Sequence, residues 1–201
     1  MKHIKCIVAG DSNVDKTSLV VQYSTQARLV GYIPVVNDNY SCNTLFEDKP
    51  INLQLWKVDG NDPKQLRSLS YPQTDVFIIV FSLVNPQSLE NVEQIWVPEI
   101  KENCPNTAYI LAGSRSKNRD EFPQHEDEFS AKCWSPVSKE KGIEMMKKVK
   151  ALDYIEFSVE NNKQVDQVFE SAMRCVIHPK EEKKEKPEKP KKRFFWQKSK
   201  K

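Results

Sequence analysis

Nine consecutive residues, Gly10 to Ser18 in the order GDSNVDKTS, carry the clearest chemistry in the chain. The pattern G-x-x-x-x-G-K-[ST] wraps backbone N–H groups around a phosphate at the start of a helix, with lysine on the outer phosphates and the hydroxyl on Mg²⁺. Gly10, Lys16 and Thr17 satisfy it, and Asp11, Ser12, Asn13 and Val14 supply the intervening backbone. Asp15 does not. Glycine belongs there so that no side chain intrudes, and a carboxylate beside a helix N-terminus repels the anion that the dipole and free N–H groups favour. A lone lysine before a helix would be a solvated charge, but Gly10 six residues earlier argues for the loop. Asp15 also has a simple ion-pair candidate in Lys16, a contact that would hold the ammonium away from a ligand.

Positioning such a loop takes a strand before it and a helix after it. Short β-rich apolar runs occur at Ile4–Ala9, Tyr40–Phe46, Ile51–Val58, Val76–Ser82 and Ala108–Gly113, with a weaker one at Tyr154–Phe157. Helical spacing falls at Lys16–Tyr23, Ser88–Asn103, Lys139–Val149 and Val165–Ile177. Alternating strands and helices predict an α/β fold: a three-layer sandwich with a mostly parallel six-stranded sheet and helices on both faces. Tyr40–Phe46 and Ile51–Val58, joined by Glu47-Asp48-Lys49-Pro50, read as a hairpin that makes one edge strand antiparallel. The acidic stretch Lys117–Pro136 is too long for a plain connection and is expected to hold a small helix.

With 201 residues and 38% of them hydrophobic, the chain suits one core plus an appendage. No apolar run is long enough to span a bilayer and no secretory leader is evident, so a cytosolic protein is expected. Five scattered cysteines (Cys6, Cys42, Cys104, Cys133, Cys175) lack CxxC spacing and read as reduced thiols. The net charge of +3 hides an asymmetry: Lys180 to Lys201 holds eleven basic and four acidic residues, leaving residues 1–179 at −4. After Pro179 the Lys/Glu/Pro composition predicts a flexible extension, 179–201.

Beyond the loop, YIPVVNDNY (Tyr32–Tyr40), LSYPQTDVF (Leu69–Phe77) and CPNT (Cys104–Thr107) follow in order. Together with the edge hairpin and the acidic segment, they resemble the Ras superfamily of P-loop NTPases, and within it the Rho/Rac branch. The resemblance covers about residues 1–178, with 118–136 as the branch's insert. It implies binding of GTP or GDP with Mg²⁺ and hydrolysis of GTP, through residues that this chain partly lacks. The switch threonine that would ligate Mg²⁺ corresponds to Val35, which packs but offers no oxygen; Thr17 alone remains of the metal's protein ligands. The motif that holds the metal through an aspartate corresponds to Lys57-Val58-Asp59-Gly60-Asn61. Lys57 is either a surface lysine or a stand-in for the metal that pairs with Asp15, Asp59 or a phosphate. Asn61, in the water-orienting position, is one methylene shorter than the family's glutamine, and Ser12 replaces a glycine, so hydrolysis is expected to be poor.

Guanine recognition would fall on Ser114-Arg115-Ser116-Lys117, where Lys117 sets a donor in place of the carboxylate that accepts from the base. Losing two such bonds, at about 1–3 kcal/mol for each group left unpaired, implies roughly a hundredfold loss of affinity or more. Arg28 takes the place of the stacking aromatic and retains a planar face, and Ser158-Val159 is a mild departure at the backbone contact. The partner-facing surface, Tyr32 and Val35 to Tyr40 with Trp56, is partly intact at Val36, Asp38, Asn39, Tyr40 and Trp56, with Asn37 in place of a phenylalanine and one residue missing near Pro63-Lys64.

The family's C-terminal prenylation box is absent, the last cysteine being Cys175, so no lipid anchor of that kind is expected. Instead Lys189, Lys191, Lys192, Arg193, Lys198, Lys200 and Lys201 surround Phe194-Phe195-Trp196. This pattern fits a clamp on the anionic inner face of the plasma membrane; nuclear import, RNA contact or plain solubilisation are the competing readings. The expectation is a monomeric pseudo-GTPase with no tightly bound cofactor, which presents a Rho-type surface to effectors or regulators of actin signalling and binds no DNA or RNA. The alternatives are a functioning, mostly GTP-bound switch with slow hydrolysis, or a site for another anion through Lys16, Lys57, Arg115 and Lys117.

Overall fold

In the computed structural model, residues 1–25, 39–125, 127 and 135–179 are described. The sheet order is β2-β3-β1-β4-β5-β6, with β1 Lys2–Gly10, β2 Asn39–Phe46, β3 Lys49–Lys57, β4 Val76–Ser82, β5 Ala108–Ser114 and β6 Tyr154–Glu156. Among the described residues only the β2–β3 ladder is antiparallel. The predicted α/β sheet is therefore present, with every strand within three residues of its expected ends. β4, VFIIVFS, is buried at all seven positions, as expected of a central strand covered on both faces.

The helices are α1 Lys16–Thr25, α2 Lys64–Ser68, α3 Pro86–Asn91, α4 Val97–Asn103, α5 Ser116–Glu121, α6 Lys139–Val149 and α7 Asn162–Ile177. Alternation along β1 divides the core. Ile4, Cys6 and Val8 join Leu19 and Phe169 beneath α1 and α7, whereas Ile7 and Ala9 face Val92, Trp96, Ile100 and Val149. Cys6, Cys42 and Cys104 are free thiols.

Three expectations need correction. The hairpin turn is only Glu47-Asp48, at φ 50° and 60°, and Phe46 pairs directly with Lys49. Lys49 and Pro50 thus belong to β3, because two left-handed residues close a hairpin whose strands twist normally. Second, the helix expected over Ser88–Asn103 begins at Pro86, where the Asn85 side chain accepts from the Gln87 N–H at 3.2 Å. Third, it is not a uniform α-helix: Val92–Trp96 forms a wide π turn between α3 and α4. Pro98 explains it, since a proline lacks the N–H and crowds the carbonyl four residues back, and widening the preceding turn relieves both. The expected small helix in the acidic segment begins at α5, and the rest of that segment lies mainly outside the described residues.

Candidate functional site

The phosphate-type loop keeps its shape although its glycine is gone. Asp15 adopts φ 63° and Asn13 φ 62°, conformations that Asp and Asn tolerate better than most residues. Gly10 has φ 150°, and a Cβ there would lie 2.2 Å from the Val80 carbonyl oxygen, so only glycine lets β1 pass β4 into the loop. The Leu19 N–H donates to Asp15 O at 2.9 Å, starting α1 where the pattern requires.

Lys16 is 3% exposed, and its ammonium is taken up within the chain. It donates to the Asp11 carbonyl and lies 3.2 Å from Asp59 Oδ2. The other Asp59 oxygen accepts from Ser12 Oγ at 2.6 Å and from the Asn61 N–H at 3.1 Å. Burial lowers the Lys16 pKa, with the Asp59 charge opposing and the charge of nearby Lys57 adding to the fall. Burial pushes Asp59 up, but the Ser12 and Asn61 hydrogen bonds and the Lys16 charge prevail and hold it below the usual carboxylate value.

Asp15 does not pair with Lys16. Arg115 takes it in a two-point grip, Nε to Oδ2 at 2.9 Å and Nη2 to Oδ1 at 3.2 Å, and Nη2 also donates to Asn13 O at 2.8 Å. Arg115 itself sits at φ 62° on the turn between β5 and α5. The turn that should read a base is thus fastened across the loop that should hold phosphate. Lys57 is at the end of β3, next to the loop.

Lys117 donates to Glu160 Oε2 at 2.6 Å at the rim of a cleft of about 600 Å³ that Ser116, Ser158 and Gln164 also line. Gln164 Oε1 accepts the Ser158 N–H at 2.8 Å, so a side chain from α7 occupies a backbone donor at the expected base contact. Ser114 Oγ is buried without a hydrogen-bond partner among the described residues. Val159 packs at the edge of the core.

Several structural roles were not read from the sequence. Asp11 has a structural role: its carboxylate accepts from Asn91 Nδ2 at 2.6 Å and from Trp96 Nε1 at 2.8 Å, across the π turn. Gly60 faces the same place, its added Cβ falling 3.2 Å from Asp11 Cα and 3.5 Å from the Trp96 ring. Arg67 donates to Gly60 O and Asp62 O and pairs with Glu99, which is 3% exposed and also accepts from Tyr71 Oη at 2.5 Å. The segment SYPQTD is therefore a structural buckle: Lys5 Nζ donates to Ser70 O and Pro72 O, and Asp75 accepts the Lys5 N–H. That Lys5 ammonium lies 4.4 Å from the centre of the Trp56 ring, opposite Asn39 at the start of β2.

Thr17 and Ser18 are in the first turn of α1. Arg28, Tyr32, Val35, Val36, Asn37, Asp38 and the basic-aromatic residues from Lys189 to Lys201 lie outside the described residues. A family model for the Ras family matches residues 5–178.

Proposed function

The chain belongs to the Ras family, with the small-GTPase fold that signals through partner proteins, and from that premise we propose that it works without a nucleotide cycle. It is a Rho/Rac-type binding module whose switch-side surface, around Asn39, Tyr40 and Trp56, is offered permanently to effectors or regulators of actin signalling. The observation that carries the reading is the grip of Arg115 on Asp15. It places a carboxylate and its counter-ion where a polyphosphate would need unhindered N–H groups, and binding would require the pair to separate beside an incoming anion.

Lys16 supports the same reading. Its partner Asp59 is engaged by an ammonium, a hydroxyl and an N–H, and Thr17 is the other side-chain oxygen expected near a metal. Mg²⁺ demands six oxygens in near-ideal octahedral array, and this donor set fits it poorly. Lys117, held by Glu160, offers donors where guanine presents donors. Lys16, Arg115 and Lys117, cations that a bound nucleotide would meet, are each paired here with a carboxylate of the chain itself.

In this reading the tail, Lys189 to Lys201, attaches the module to anionic membrane at about 1 kcal/mol per basic residue near the surface. The test is to denature freshly purified protein and identify what it releases, then to melt it with Mg²⁺ and with chelator. Release of no guanine nucleotide and one melting temperature are expected; stoichiometric GDP with a Mg²⁺-dependent melt would refute the proposal. A second reading, a slow GTP-bound switch, draws on the preserved loop backbone at Gly10, Asn13 and Asp15. Equilibrium dialysis against GTP separates the two.

A further inference from the structure

β2 lies at the edge of the sheet, and its inner face is thinly covered. Tyr40, Cys42 and Thr44 are only half-buried, and Leu45 is 71% exposed. Between this strand, the end of α1 and the outer face of α7 runs a groove of about 590 Å³. Tyr23, stacked on Phe169 at 4.0 Å between ring centres, lines it together with Cys42 and Met173. Asp166 and Glu170, one helical turn apart, form its α7 wall. Among the described residues that line it, none is basic.

The chain leaves the domain beside this groove. His178 Nε2 and Glu47 Oε2 are 2.7 Å apart, which ties the end of α7 to the hairpin turn just after Leu45 and Phe46. Residues 180–201 continue from that point. We propose that the groove between β2 and α7 is the docking site of this chain's own segment 189–201, with Phe194, Phe195 and Trp196 against Tyr23 and Leu45 and the flanking Lys and Arg side chains against Asp166 and Glu170.

Charge, reach and chemistry each support this occupant. The segment has seven basic residues and no acidic one, opposite a wall of two exposed carboxylates. From Pro179 the chain can span roughly 50 Å before it reaches Phe194, whereas Met173 back to Asp166 is about 10 Å of helix. The tether is therefore long enough to double back and short enough to hold its own end at roughly millimolar effective concentration. A contact too weak to bind in trans suffices. Among the described residues the outer edge of β2 has no ladder partner, so it offers backbone donors and acceptors to an extended segment, and consecutive aromatic residues favour that conformation.

This proposal goes beyond the reading of the nucleotide site and does not depend on it. Docking covers the same residues that would meet a membrane, so groove and lipid compete for the tail, and release from the groove regulates attachment. Three measurements on the full chain test it. Zero-length carbodiimide cross-linking with mass spectrometry is expected to join Asp166 or Glu170 to lysines of 189–201 within one chain, in a yield unchanged by dilution. Amide exchange at Ser41–Leu45 is expected to speed up in the F194A/F195A/W196A variant. Asp166→Asn with Glu170→Gln is expected to raise affinity for phosphatidylserine vesicles about fivefold, well beyond the same charge change made at exposed Glu102 and Glu144. Cross-links between copies or to other acids, unchanged exchange, or equal vesicle effects from the two pairs of substitutions would each overturn it.

Discussion

Lys16 and Asp59 make an asymmetric pair, and the asymmetry predicts which partner is harder to remove. The Lys16 side chain is 2% exposed and that of Asp59 30%. Removing one partner of a buried pair costs about 3–5 kcal/mol because the other charge is stranded. In Asp59→Asn the stranded charge is the ammonium, which cannot reach water and retains only the Asp11 carbonyl and more distant charges. The partial exposure of Asp59 discounts the pair, so a loss of about 2–3 kcal/mol is expected. In Lys16→Met the stranded charge is a carboxylate that water reaches and that Ser12 and Asn61 still hold, while the methionine fills the buried space; about 1 kcal/mol or less is expected. For a domain of this size each kcal/mol moves Tm by roughly 2–4 °C, so Asp59→Asn should melt about 4–12 °C below the parent and Lys16→Met within about 4 °C. Paired thermal and urea unfolding, each with and without Mg²⁺ and GDP, reads this directly. If Lys16→Met proved the more harmful, or if the parent alone gained stability from Mg²⁺ and GDP, the ammonium would be working for a ligand and not for Asp59.

Other perturbations probe the same framework. Asp15→Ala, Arg115→Ala and the double variant should give a coupling energy of about 1 kcal/mol, reduced by salt, because the pair is two-pronged yet partly exposed; strict additivity in urea denaturation would deny the latch. Arg67→Ala leaves Glu99 buried and charged, and a loss of about 3–5 kcal/mol is expected in the same assay. Burial acts to raise the Glu99 pKa, but the Arg67 and Tyr71 hydrogen bonds win and depress it below 4.5. Its contribution is therefore complete above that value and disappears as pH falls through the lower folded value, so Glu99→Gln should flatten the acid limb of the stability profile. Gly10→Ala should fail to accumulate as folded protein by circular dichroism, since its Cβ would meet the Val80 carbonyl at 2.2 Å.

The sheet and most helix positions were legible because they follow from apolar periodicity, which is local. What escaped reading joins distant parts of the chain. Asp15 and Arg115 are 100 residues apart, and only the fold brings the β5–α5 turn over the phosphate-type loop. A near neighbour, Lys16, was instead suggested for Asp15. The π turn was hidden because its cause, Pro98, lies beyond it, and a proline inside a helical pattern announces a disturbance without its form. Glu99 falls in the same helix and would ordinarily be assigned to a solvated face; Arg67 and Tyr71, 32 and 28 residues earlier, make its burial possible. SYPQTD, taken from the sequence as a mark of the Rho/Rac branch, forms a clasp between β1 and α4.

The substitutions around the loop form a set. An acid at 15 alone would leave a repulsive, strained position on an otherwise usable site, and a base at 115 alone would add one more cation near phosphate. Together they neutralise one another, and the same holds for Lys117 with Glu160 and for Lys16 with Asp59. A site that relies on a ligand for its counter-charges leaves them unbalanced when empty and becomes stable when filled. Here three cations have three carboxylates within 3.2 Å, so the folded state needs no ligand to balance them. Replacing Asp15 by glycine should therefore free Arg115 without creating tight GTP binding, because Lys16 remains held by Asp59 and Lys117 by Glu160. Measured by fluorescent-nucleotide titration, Asp15→Gly alone should gain at most about tenfold, and nanomolar affinity from that single change would refute the collective account.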